Sequence, residues 1–476
     1  VARRGYGYSY SRRRKGGGGW FLFLLFLFAI AGGAGYIWFA PEFERVPPKI
    51  ELSKEAYWSP KKPFKITIKD NQALGSYKIF IGDGAKEIQL ASGKITNGAK
   101  DEVISVKIPE KIDLNQEKTP WLLRVEVKDK SLWNFGRGNS AVATSKIIVD
   151  RTPPVVGILA HSPSIIQGGS ALVIFQARDK HLKDVYVKAG RKRWEVIPYK
   201  EKGYYATLFA WPFREHLFQA QIIAEDLAGN ESRLQIPIDR YHKNYKKSWI
   251  KLSDRFLNGK IKDVASEDEE ASKIADPLKR FKAVNENIRE ANERLIHKYT
   301  KGVTKVDFKH WRLRGFYPLK GAKRVASFGD ERHYYYGNNK REVSRSYHLG
   351  YDLASVKNAP IISSNSGSVV FAGYNGIYGN MPIIDHGFGL YSLYGHCSSL
   401  LVLKGDKVRA GAVIAKTGQT GLALGDHLHF AILVQGVEVL PMDWMKPNWI
   451  KSHINGVFNK ANRIIASRNR DSKDKN

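Results

Sequence analysis

The sequence predicts a multidomain, mainly β protein behind an N-terminal membrane-spanning helix, with one helical interruption before a C-terminal antiparallel-β domain. Three observations carry that expectation. At 476 residues the chain exceeds what one ordinary core holds; a single charge-free apolar run sits near the start; and short β-branched and aromatic runs broken by turn residues recur through most of the remainder. A formal net charge of +31 makes anionic lipid and acidic polymers its natural electrostatic neighbours. Basic residues are spread along the chain with no nucleic-acid motif, so no specific nucleic-acid partner is expected. Cys397 is the only cysteine, which excludes an intramolecular disulfide and leaves packed cores, with or without a metal, to hold the fold.

The first element is WFLFLLFLFAIAGGAGYIWFA, Trp20 to Ala40, whose 21 uncharged residues are long enough as a helix to cross a hydrocarbon layer of about 30 Å. Arg3, Arg4, Arg12, Arg13, Arg14 and Lys15 precede it. Residues 1–19 are therefore read as a basic cytoplasmic tail and 20–40 as a signal anchor, which leaves the bulk of the chain outside. A cleaved signal peptide ending near Ala29-Ile30-Ala31 is the competing reading. The anchor is preferred because the apolar run continues through Tyr36-Ile37-Trp38-Phe39, and aromatic rings suit the membrane interface.

Next come FKITIKDN (64–71), YKIFIGDG (77–84) and LLRVEVKDK (122–130), which read as strands. Two ordered stretches repeat. Pro47-Pro48 and Pro153-Pro154 each open one, KITIKDNQALGSYKIFI answers LVIFQARDKHLKDVYVKA, and the closing segments are also alike. Modules at 46–152 and 153–241 follow, each with strand spacing that fits a β-sandwich, and they resemble the immunoglobulin-like modules of bacterial surface proteins. Asp129, Asp150, Asp179 and Asp226 are read as turn residues and strand-end caps rather than calcium ligands, because no stretch has the dense oxygen spacing of a calcium loop.

A helical connector is expected over 245–302. Asp276 caps a helix with Pro277 at its first position, Leu278, Phe281, Val284, Ile288, Ala291 and Leu295 form an apolar stripe, and Gly302 stops it. That stripe needs a neighbouring domain or a helix formed by 253–272; His297 is read as a surface residue.

The chemistry lies in the last 150 residues or so. GDHLHFAIL (425–433) sets His427 and His429 on one face of a strand. SYHLGYDLAS (346–355) sets His348 and Asp352 four apart, an offset that on extended chain again returns to one face. Imidazole nitrogen and carboxylate oxygen are ligands Zn²⁺ accepts, and three protein ligands leave a position for water. His396, in GLYSLYGHCSS (389–399), and His427 can move protons near neutral pH.

RVASFGDER (324–332), HLGYDLA (348–354), YGNMPIIDHGFGLYSLYGH (378–396), KGDKVRAGAVIAKTGQTG (404–421) and DHLHF (426–430) occur in an order similar to that of the M23 family of zinc metallopeptidases, also called LytM-type or lysostaphin-like endopeptidases. The resemblance covers about 319–446 and leaves 447–476 as a basic C-terminal tail. It implies His348, Asp352 and His429 as Zn²⁺ ligands, His396 and His427 as catalytic histidines, and zinc-dependent hydrolysis of peptidoglycan cross-link peptides outside the membrane. The alternative is a non-catalytic wall-binding scaffold or an activator of another hydrolase.

Asp426 stands where the family usually has Pro, and a carboxylate beside His427 favours that imidazole's cation. His386 is read as a structural turn residue. A Cys397–His396 nucleophile is rejected because adjacent strand residues face opposite ways. His333 and the tyrosines of RHYYYGNNKREV (332–343) read as a hairpin, with the rim of a substrate groove as their functional reading.

Overall fold

A computed structural model describes residues 5, 7, 18–83, 86–107 and 121–473. Residues 1–4, 6 and 8–17, among them all the basic residues on which the cytoplasmic-tail reading rests, lie outside the described residues. The chain divides into two compact units, one comprising 1–152 with 227–230 and the other 153–226 with 231–476.

The first unit begins with the helix Gly18–Phe39. Its Trp20–Phe39 window has a mean hydropathy of 2.1 and is long and apolar enough to cross a membrane by length and composition. Between residues 49 and 149 the described residues form a three-stranded sheet and a five-stranded sheet. The three expected strands are present as Phe64–Lys69, Leu74–Gly82 and Trp121–Asp129. Alternation decides the faces: Leu123, Val125 and Val127 are fully buried with Ile66, Ile68, Ile79 and Ile81, while Arg124 points outward and pairs with Glu87. Asp129 is a cap, its Oδ1 accepting the amides of Ser131 and Asn139.

In the second unit the repeat forms two four-stranded sheets. Its strand Ser170–Arg178 is buried on both faces, because the helix Gly456–Lys473 covers the side turned away from the partner sheet. The segment read as a basic tail is therefore a packed element. Ile450, Ile454, Val457, Ala461 and Ile465 recur at helical spacing and are at most 4% exposed, with the basic residues on the outer face. One core runs from Leu159 to Ile465 through the repeat and the C-terminal sheet. Gln435, in the turn after Leu428–Val434, donates from Nε2 to Glu195 O, Thr207 Oγ1 and Leu208 O, fastening the two together.

The connector opens differently from expectation: Lys247–Lys251 is a strand paired in parallel with Glu331–Tyr335. Three short helices follow, Asp254–Asn258, Lys260–Ala265 and Glu269–Ser272, rather than one continuous helix over 253–272. The second helix runs from Pro277 to Thr300, capped by Asp276 Oδ1 on the amides of Leu278 and Lys279, but it contains a π turn at Val284–Ile288. That extra residue per turn shifts the stripe by one. Phe281, Val284 and Ile288 are buried as expected, yet beyond the π turn Ile296 and Thr300 face the core while Ala291 is exposed.

His297 does more than lie at the surface: its Nε2 is 2.9 Å from Glu438 Oε1 on the strand Val437–Val439. The hydrogen bond to Glu438 raises the imidazole above its usual 6.5, against a smaller lowering by burial. Stability from this contact is present below 6.5 and lost as pH rises through the raised value. We expect melting temperature to fall modestly as pH rises above about 6.5, and His297→Gln to flatten that slope in thermal melts.

Candidate active site

The C-terminal domain is built on one antiparallel sheet whose order places Tyr351–Ala354 beside Leu428–Val434, and that strand beside Leu390–Gly395. Register does the assembling. Asp352 is the direct cross-strand partner of His429 on one side, and Gly395 is its partner on the other. His396 follows Gly395, and His427 lies two residues before His429 on the same face.

His348 arrives by a different route from the extended run expected for 348–352. It sits just beyond the strand Glu342–Tyr347, and the chain bends at 348–350 before entering Tyr351–Ala354. The bend requires Gly350, since a Cβ there would lie 2.7 Å from His429 Cε1 and Nε2 and from the Phe430 carbonyl oxygen.

Three donor atoms converge. His348 Nε2 and His429 Nδ1 each lie 3.0 Å from Asp352 Oδ1 and 3.1 Å from one another. His348 Nδ1 donates to Ser327 O at 2.9 Å, which leaves its Nε2 as a lone pair aimed at a carboxylate and a second ring nitrogen. Lone pairs so close repel unless a proton or cation lies among them. A tetrahedral ion with bonds of about 2.1 Å sets its ligands about 3.4 Å apart, so the N, N, O donor set fits a divalent cation such as Zn²⁺ with small adjustment.

Burial raises Asp352, but the charges of His348 and His429 and their hydrogen bonds outweigh it and hold the carboxyl well below 3.8. Burial pushes His429 down to about 4. It also pushes His396 down to about 3, with the neighbouring His427 and His429 adding to the effect, so His396 is neutral at physiological pH.

The two remaining histidines flank this cluster, their rings 4.8 Å apart. His396 Nδ1 donates to Thr420 O at 2.9 Å and His427 Nδ1 to Gly425 O at 2.7 Å, so in the neutral form of each ring the lone pair lies on Nε2. His396 holds a left-handed backbone, φ 64°, fixed by its own amide on Tyr378 O and by the amide of Cys397 on Asn380 O. Cluster and histidines open into a cleft of about 800 Å³.

Residues 346–441 match the model of peptidase family M23. The C-terminal region is an M23 peptidase-family domain. Curated relatives similar to it include the DD-carboxypeptidase/endopeptidase Mpg of Neisseria meningitidis, 37% identical over 100 residues, 21% of this chain and 23% of Mpg. The peptidoglycan DD-endopeptidase ShyA of Vibrio cholerae is 35% identical over 132 residues, 28% of this chain and 29% of ShyA. The murein hydrolase activator NlpD of Escherichia coli is 37% identical over 105 residues, 22% of this chain and 27% of NlpD. The chain thus spans about a quarter of the length of each of these relatives.

All five expected side chains, His348, Asp352, His396, His427 and His429, line the cleft of the M23 domain. Asp426 does not face His427: its oxygens accept from Thr417 Oγ1 at 2.6 Å and the Asn358 amide at 3.1 Å, bracing two loops. His386 is structural as expected, its ring nitrogens on Ser366 O and Ser392 Oγ, with burial holding it near 4. Cys397 is buried, its Sγ turned to Tyr394 O and its thiol pushed up to about 12 by burial, so it offers no nucleophile. His333 turns away from the cleft, stacked on Trp249 and bonded to Glu342; its neighbours Arg332 and Tyr334 line the groove instead.

Sequence reasoning passed over Gly350 and Tyr378. The first was signalled only by a glycine between two ligand-type residues. Tyr378, almost fully buried, packs edge-on against His429 at 5.4 Å, and its turn is held by Asn292 Oδ1 accepting the Ile377 amide, a long-range contact with no local signature. Gly350→Ala is expected to displace the His429 ring and weaken divalent-metal binding by about 10–100-fold, read by titration against a competing chelator.

Proposed function

We propose that this chain is a zinc-dependent endopeptidase that hydrolyses peptide cross-links of peptidoglycan outside the cytoplasmic membrane, anchored by its N-terminal apolar helix with the N-terminus in the cytoplasm. The observation that carries the reading is the convergence of His348 Nε2, Asp352 Oδ1 and His429 Nδ1 within 3.1 Å, inside the segment matched by the M23 family.

In this reading those three side chains hold the metal, which when bound supplies Lewis-acid polarisation of a carbonyl and an acidified water. The Ser327 carbonyl fixes the tautomer and aim of His348. His427, at the cleft edge with its Nε2 3.7 Å from Asp352 Oδ1, takes the proton from the attacking water and returns it to the leaving amine. His396, kept neutral and with its ring 4.8 Å from that of His427, orients the reacting groups through its free Nε2. The two β modules, which we read as immunoglobulin-like, serve as spacer or docking arm between membrane and wall.

Similarity to NlpD supports a second reading, a non-catalytic activator that binds wall peptides in the same cleft. One experiment separates them. Residues from about 41 onward are incubated with purified peptidoglycan, with and without a chelator, and released fragments are identified by mass. Chelator-sensitive release of cleaved cross-link peptides is expected; no release in either arm would favour the activator.

A further inference from the structure

The cleft is not made by the M23 domain alone. The His/Asp cluster, Arg332, Tyr334, Tyr378 and the loop around Gln419 to Leu424 form part of its lining, and another wall comes from the connector, 250–260 and Arg289, upstream of the family-matched segment. The ionisable side chains that the connector contributes are all cationic: Lys251, Arg255, Lys260 and Arg289. Asp352 is the only carboxylate lining the cleft among the described residues, and it belongs to the candidate metal site.

Three of the four cations are held by neutral groups. Lys251 Nζ donates to Asn338 Oδ1 at 3.2 Å, and Lys260 Nζ reaches across to the Gln419 carbonyl at 2.7 Å. Arg289 is half-buried, with Nε on Asn285 O at 3.2 Å and one terminal nitrogen on Asn285 Oδ1 at 3.0 Å. Asn285 is itself buried and held by Ser344 Oγ at 2.9 Å, so the guanidinium is preorganised by neutral groups with donors to spare. Among the described residues, no carboxylate lies within 4.0 Å of any of the four cations. Arg332 differs, standing between Asp330 and Asp352 at 3.6 and 3.7 Å.

A half-buried guanidinium facing a cleft with no carboxylate in contact is a site for an anion, and its planar fork matches a carboxylate; the buried Glu293, one helical turn on, attracts Arg289 without an ion-pair contact. We infer that the connector wall is a carboxylate-binding subsite, in which Arg289 and Arg255, flanked by Lys251 and Lys260, grip a free carboxylate of the peptide whose scissile bond lies at the His/Asp cluster. This rests on the hydrolase reading and names its substrate class as acidic peptides. Specificity then resides in residues outside the family-matched segment.

The test uses the full chain in detergent micelles and two probes: a cross-linked peptide dimer released from peptidoglycan, with free carboxylates, and the same dimer with its carboxylates converted to amides. Binding is measured by calorimetry with a chelator present, and kcat/KM with metal. The wild type is expected to favour the free acid by about tenfold or more in both measurements. Arg289→Gln, and separately the exposed pair Arg255→Gln with Lys251→Gln, should bring that ratio toward one while metal content stays unchanged. Equal affinity of the wild type for acid and amide, or a ratio preserved in both variants, would overturn the subsite. Cleavage without discrimination sinks the subsite and leaves the hydrolase standing; discrimination in binding without cleavage does the reverse.

Discussion

His429→Ala is expected to abolish both metal binding and peptide hydrolysis. His429 sits between the other two donors, its Nδ1 3.0 Å from Asp352 Oδ1 and 3.1 Å from His348 Nε2. Its removal leaves two ligands, and Asp352 loses one of the two imidazoles that hold its buried carboxyl in the charged form. The Lewis-acid contribution to such reactions amounts to several kcal/mol, and each 1.36 kcal/mol is a decade of rate, so turnover should fall by about 10³-fold or more. Metal stoichiometry by mass spectrometry and fragment release from peptidoglycan read the two effects separately. A variant that lost metal yet kept its effect on the wall would sink the peptidase assignment and favour the activator.

Trp444→Ala should carry the largest penalty in stability. Trp444 is fully buried, donates from Nε1 to Ser170 Oγ at 3.0 Å, and packs its ring 5.0 Å from that of Trp449. Its backbone oxygen also accepts the Phe316 amide at 2.9 Å. The substitution removes a large apolar volume at the point where the second β module meets the M23 sheet, and leaves Ser170 Oγ without its donor. A cost of about 3–5 kcal/mol follows, which in a unit of this size lowers the melting temperature by roughly 4–7 °C. Calorimetry of the full chain checks it, and Trp444→Phe should recover much of the loss by restoring ring volume without the hydrogen bond.

The site was more legible than the packing around it, for a physical reason. Strand periodicity is local, so HLH states that His427 and His429 share a face wherever the strand lies. The register opposing His429 to Asp352 and Gly395 is long-range, and only the shared motif order brought those segments together in advance. Helical spacing failed at Ala291 because a π turn at 284–288 is invisible to a fixed 3.6-residue period. The C-terminal segment was misread from its charge, although Ile450, Ile454, Val457, Ala461 and Ile465 already spelled one apolar face. Strand Lys247–Lys251 was missed because its polar sequence, KSWIK, is an edge addition whose pairing is made by backbone alone.

The way the connector lies on the M23 sheet bears on how the chain can be dissected. Phe281, Val284, Ile288 and Ile296 cover Ile377, Met381, Ile383, Leu393 and Leu433, all of them interior. A fragment trimmed to begin near residue 319 would turn that greasy surface to water and invite precipitation, whatever the condition of its catalytic groups. Inactivity of so short a piece would report lost solubility, and an excision beginning near Pro153, which keeps the second β module on the shared core, is the fairer one.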